Sequence, residues 1–321
     1  MGRLNNFVFM LVLVIVVVLF APMTKAAVIE VGLSGYAYDN IQDAYHSASS
    51  GDEIVVHAGT YTKLWGDYSL YTAYDWTAGG APTVEKRDIV IRAAGDGPAI
   101  MKGVLGLSGL AVGVHNITID GLYINPETVA NKCGVQIHPS GFYMEGCTVR
   151  NVVVYGEALQ RGVYFRNPPA EHGQHLVEHC TFINTTGVGG YKGLDDRMNG
   201  TKTADMVPIM RSNISVGFEH GFYSWYGGPG ETFTYSDGYG NTVANYQPAS
   251  YKGVGSVELD PVFYSLDPAN PNFLYLSPGS PIAVQVGAHD GTYMGALPVI
   301  PEPATLALLG LGALVLRRKR A

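Results

Sequence analysis

Gly134-Val135-Gln136-Ile137-His138 and Gly162-Val163-Tyr164-Phe165-Arg166 are two copies of one phrase: glycine, apolar, variable, apolar, variable. Weaker copies read Gly109-Leu110-Ala111-Val112-Gly113, Gly187-Val188-Gly189-Gly190-Tyr191 and Gly221-Phe222-Tyr223-Ser224-Trp225. Their glycines step by 25, 28, 25 and 34 residues, taking differences of position. A period-2 phrase returning at such steps predicts a solenoid of β coils. Alternate strand residues face opposite sides, so Val135, Ile137, Val163 and Phe165 point inward. Gln136, His138, Tyr164 and Arg166 then point outward, stacked at the inter-strand spacing of about 4.8 Å.

A second repeated strand agrees with this. Ile117 to Ile124, Phe142 to Val149 and His175 to Phe182 align, with Ile209 to Val216 a fainter copy. That register places Cys147 under Cys180, and puts Asn125, Asn151 and Asn184 where side-chain amides stack as a ladder in a turn. An antiparallel sandwich is the competing fold, but it suits strands spaced by about 8–12 residues. Abundant glycine and tyrosine with only 15% charged residues fit many tight β turns and argue against a coiled coil or a disordered chain. Three cysteines are too few for a disulfide scaffold. Cys147 and Cys180 read as two buried thiols, with a bridge between them the alternative in an exported chain.

Both ends carry processing signals. Met1 to Ala26 has Arg3, an apolar run from Phe7 to Phe20, and Thr24-Lys25-Ala26 before a cleavage point, as a secretory signal peptide does. At the other end Pro301-Glu302-Pro303 precedes the apolar run Ala304 to Leu316 and then Arg317-Arg318-Lys319-Arg320. An apolar segment closed by cations is a membrane stop with its positive end in the cytoplasm. The tail, residues 299–321, resembles the PEP-CTERM sorting signal. That resemblance implies recognition by an exosortase, transient membrane anchoring, and delivery to the cell surface or extracellular matrix of a Gram-negative bacterium.

Between the signals lies the body, residues 27–298. Its charge is 20 − 2 − 4 = 14 cations against 27 − 1 = 26 acids, a net of −12. Such a body repels phosphates, which excludes non-specific nucleic-acid binding. Val28 to Val31 reads as a first strand. Asp39 to Ser49 reads as an amphipathic helix, with Asp39 and Gln42 as a capping box, that closes the open end of the first coil.

Ile41-Gln42-Asp43-Ala44, Ser50-Gly51-Asp52-Glu53-Ile54-Val55-Val56 and Ala58-Gly59-Thr60-Tyr61 resemble the first coil of the right-handed parallel β-helix proteins, the pectin-lyase-like family. Asp260-Pro261-Val262-Phe263, Asn272 to Leu276 and Ser277-Pro278-Gly279-Ser280-Pro281 are similar to its last coil, with Ile282 to Gly287 departing from the usual sequence there. The resemblance spans roughly residues 28–298. It implies an all-β fold, a right-handed parallel β-helix. Trp65 to Thr83, Lys192 to Met206 and Gly217 to Tyr246 read as insertions or long loops beside the coils.

The outward stripe His138, Arg166, Tyr191 and Trp225, with Gln136, Tyr164 and Tyr223 one step back, is the candidate carbohydrate-binding groove. Flat aromatics beside hydrogen-bonding groups suit a sugar ring, which has an apolar face and polar edges. The partner expected is an extracellular polysaccharide. A polysaccharide lyase or glycoside hydrolase in the same groove, and a purely structural matrix protein, are the alternatives. For catalysis the candidates are Arg166, Glu171 and Asp195, with Arg161 as another possible base. β-Helix lyases use Arg or Lys as base and often Ca²⁺ to neutralise a carboxylate. The resemblance therefore offers Asp195 and Asp196 as a Ca²⁺ pair. A hydrolase would need two carboxylates about 5–10 Å apart, such as Glu171 with Asp195 or Asp196. Histidines 172, 175 and 179 suggest a metal, but His179 falls within the repeated strand and reads as structural.

Overall fold

A computed structural model describes residues 26–300, apart from 73–84, 109–113, 128, 131, 139–143, 167–173, 187–190, 198–202, 205 and 229. Every pairing between its strands is parallel, and from Glu53–Val56 onward consecutive strands lie in different sheets. That is the geometry of a parallel β-helix. One coil reads Thr148–Arg150, Val153–Gly156 and Arg161–Arg166, and each of its strands belongs to a different sheet. The sheets have eight, seven and seven strands, with a short three-stranded sheet at the corner leading into the first.

Stacking follows from the period-2 pattern. In the first sheet Ile54, Ile91, Ile119, Val149, Val177, Met210 and Phe233 form one inward column. The first five are β-branched, which suits a pleated surface, and all seven are buried. The third sheet adds the column Leu105, Val135, Val163, Leu194 and Phe222. Helix Ile41–Ser47 covers the first coil with Ile41, Ala44 and Tyr45. Its N-cap is Asn40, not Asp39: the Asn40 side chain accepts the Asp43 N–H at 2.9 Å. One residue of offset leaves Gln42 to donate to the Tyr71 carbonyl and accept its N–H.

The recurring glycine is required by contact, not by backbone conformation. A Cβ on Gly162 would lie 2.4 Å from the Gly193 carbonyl and 2.5 Å from the Phe182 ring. Gly134 meets the Gly162 carbonyl in the same way, and Gly193 meets that of Gly221. The third copy of the phrase is therefore Gly193-Leu194-Asp195-Asp196-Arg197, not Gly187 to Tyr191. Lys192–Arg197 is a strand, as are Tyr68–Tyr71, His220–Ser224 and Ala244–Gln247, so the segments read as insertions contribute to the coils themselves.

Other registers also shift. Thr148 pairs with Thr118 and Leu176, which aligns Ile117, Cys147 and His175. Cys180 precedes a strand of the second sheet, so the two cysteines sit at different corners, and all three cysteines are buried thiols outside any disulfide. Burial pushes the Cys147 thiol up to about 12. Asn151 lies in a left-handed turn between the first and second sheets, whereas Asn125 follows a second-sheet strand and Asn184 ends another, in register with Gly156. No three-asparagine ladder forms.

The outer faces of the sheets differ. On the first, Arg92, Asp120, Arg150, Glu178 and Arg211 stack as alternating charges. Arg150 donates to Asp120 at 2.9 Å and Arg211 to Glu178 at 2.9 Å. On the second, the residues expected to make a last coil turn back instead. Phe273, Leu274 and Ala296 pack on Val153, Tyr155 and Ile183, and Leu276, Val284 and Met294 pack on Ile214. The third sheet is left with a polar and aromatic outer face.

Candidate functional site

Each copy of the phrase turns two side chains outward, and the residue before its glycine adds a third. The column Gln136, Tyr164, Asp195 and Tyr223 runs along the middle of the third sheet. On one side stand Cys133, Arg161, Lys192 and His220. On the other Arg166 pairs with Arg197, His138 ends the strand before, and Trp225 follows the strand after. Six of the seven predicted binding residues thus lie on one face. Tyr191 does not share it: it precedes Lys192, where its carbonyl accepts the N–H groups of Glu219 and His220. Arg197 holds the position expected for it, because the true copy starts at Gly193.

Asp195 organises the face. It is fully buried, and it accepts from Arg161 Nε at 2.7 Å and from Arg197 Nε at 3.1 Å. The held guanidiniums are then placed over rings. Arg161 lies 4.2 Å from the centre of Tyr164, and Arg197 lies 6.0 Å from that of Trp225. Lys192 sits 4.8 Å above Tyr223. Each is a cation–π contact, strongest where water is excluded. Trp225 is 61% exposed and Tyr226 is 53% exposed, a large apolar surface bordered by charge.

Burial tunes several of these groups. It lowers the pKa of His138, reinforced by Arg166, so the ring is neutral at pH 7. Burial also lowers that of His220, with Lys192 adding to the effect. Lys192 is lowered by burial against the pull of Asp195. The patch carries Arg161, Arg166, Lys192 and Arg197 against the carboxylates of Asp195 and Glu219, so it is cationic although the body as a whole is strongly acidic.

Asp195 and Asp196 do not fit a shared cation. They are consecutive in one strand and face opposite sides. Asp195 stands between Tyr164 and Tyr223 outside, and Asp196 between Phe165 and Ser224 inside. Both are fully buried, and Asp195 is already ion-paired. The same ion pairs make Asp195 a holder of arginines and not a free acid or base. Glu171 and His172 lie outside the described residues, as do Pro301, Glu302, Pro303, Arg317, Arg318 and the predicted signal peptide up to Lys25. His175 is buried, accepts the Cys147 N–H, and is held neutral with its pKa lowered to about 4. His179 lies in a turn instead, beside two residues far along the chain that sequence reasoning did not connect to it.

The fold and this face define a parallel β-helix protein with one open aromatic and cationic side. Residues 299–320 match the PEP-CTERM protein-sorting motif, which marks the chain for export and exosortase sorting to the cell surface. No curated protein matches it.

Proposed function

We propose that this exported protein binds carbohydrate on the outer face of the third sheet. The observation carrying the reading is the exposed Trp225 beside Arg197 and Tyr223, on a face whose columns repeat from coil to coil. A glycan laid along the coil axis would meet an aromatic or a guanidinium at steps of about 4.8 Å. Trp225 and Tyr226 suit the apolar face of a pyranose, while Gln136, Arg166 and Arg197 suit its hydroxyls. The buried Asp195 presets the two arginines, which reduces the ordering cost of binding.

The test is retention of the purified full-length chain, in detergent, on a panel of neutral and acidic polysaccharides. Retention that falls about tenfold in both Trp225→Ala and Arg166→Ala is expected, since one aromatic or charge-assisted contact contributes roughly 1–2 kcal/mol. Retention unchanged in both variants would remove the face from consideration. Release of unsaturated products absorbing in the ultraviolet would make the site a lyase, and new reducing ends alone would make it a hydrolase.

A further inference from the structure

One cluster away from the third sheet joins residues far apart in sequence. His179 occupies the left-handed turn between Leu176–Glu178 and Thr181–Asn184, with φ of 49°. His289 and Asp290 lie in the C-terminal segment that turns back over the second sheet. One ligand atom from each of the three falls within 4.8 Å of the others. His179 Nε2 is 3.4 Å from Asp290 Oδ2.

The outer nitrogens of both rings are already committed. His179 Nδ1 lies 3.1 Å from the Tyr293 carbonyl, which can only accept, so the proton sits on Nδ1 and the lone pair on Nε2. His289 Nδ1 lies 2.9 Å from Ser212 Oγ, and the same hydroxyl oxygen accepts the His289 backbone N–H at 3.1 Å. Imidazoles anchored through one nitrogen to a carbonyl or hydroxyl, with a carboxylate near the other nitrogen (Asp290 for His179, and Glu178 at 3.8 Å for His289), have the arrangement of metal ligands with their outer shell in place. Zn–N and Zn–O distances of about 2.0–2.2 Å put tetrahedral ligand atoms about 3.3–3.5 Å apart, which matches the His179–Asp290 spacing. A cavity of about 300 Å³ opens beside them, lined by Arg150, Glu178, Thr292 and Tyr293.

We propose that His179, His289 and Asp290 form a binding site for a divalent transition ion, zinc in the first instance, with its remaining position open to the cavity. Imidazole donors select zinc, nickel or copper over calcium and magnesium. The ion would tie a turn of the coil body to a segment 110 residues later (289 − 179), and would stabilise the C-terminal covering by mass action.

The experiment uses untagged full-length protein in detergent, stripped with EDTA and dialysed against zinc chloride. One zinc per chain is expected, with a raised melting temperature, no displacement by millimolar Ca²⁺, and visible bands of a tetrahedral site when Co²⁺ replaces zinc. His179→Ala, His289→Ala and Asp290→Asn should each weaken zinc binding at least tenfold. His289→Gln, compared with the parent in metal-free melting, shows whether the loss is one of folding. Substoichiometric zinc in the parent, or zinc held equally well by His179→Ala and His289→Ala, overturns the site. Polysaccharide retention is a separate measurement, so failure of either reading leaves the other standing.

Discussion

Asp237 should make this protein lose stability as pH rises from about 4 to neutrality. The residue is fully buried where the chain leaves the last coil. Its Oδ1 accepts the Leu259 N–H at 2.9 Å, while Oδ2 is buried with no hydrogen-bond partner. Burial, aided by Asp260 and Glu258, raises its pKa from 3.8 to about 7. The folded state therefore prefers the neutral acid. A raised folded value means the contribution is fully present below the unfolded pKa and is lost as pH climbs from about 4 to about 7. About three pKa units at about 1.4 kcal/mol each give roughly 4 kcal/mol. Asp237→Asn keeps the shape and the acceptor for Leu259 but cannot ionise. Guanidinium unfolding of both proteins at pH 4, 6, 7 and 8 is the assay. The variant should be within about 1 kcal/mol of the parent at pH 4 and ahead by about 4 kcal/mol at pH 8. Other titrating groups cancel in the difference. Two stability curves that stay parallel across this range would refute the reasoning.

Gly162→Ala should destabilise by about 1–3 kcal/mol or more, because its Cβ meets the Gly193 carbonyl, which is backbone and cannot turn aside; thermal melting reads this directly. Asp195→Ala should cost about 3–5 kcal/mol by leaving Arg161, with its side chain 15% exposed, without its carboxylate. It should also weaken polysaccharide retention without touching Trp225. Loss of stability with retention intact would show that the carboxylate does not position the face.

The coil architecture was legible because two undisguised copies of the phrase, at Gly134 and Gly162, carry both the steric glycine and the inward apolar pair. The third copy was misread for a physical reason. Gly187-Val188-Gly189 imitates the phrase, whereas the true copy places the acid Asp196 in the inward column that Ile137 and Phe165 occupy. Period-2 reading assumes that inward means apolar. The cysteine register failed similarly, since one strand class repeats at two corners of the coil and their sequences are alike. Six of the seven residues expected on the groove nonetheless share one face, because a solenoid turns sequence period into spatial neighbourhood. Contacts made by the returning C-terminal segment obey no period. Nothing in the sequence joins His179 to His289 and Asp290, or Tyr155 to Phe273.

The course of that returning segment also decides where load enters the molecule. Val299 and Ile300 are hydrogen-bonded beside Leu276, against the flank formed by the second sheet, and not at the open end of the last coil. Tension from whatever is joined beyond residue 300 would thus be borne first by a strap held mainly through side-chain packing. The strap would peel before any coil unwound, and the aromatic side, on a different flank of the spiral, would stay turned outward while the protein hangs from its anchor.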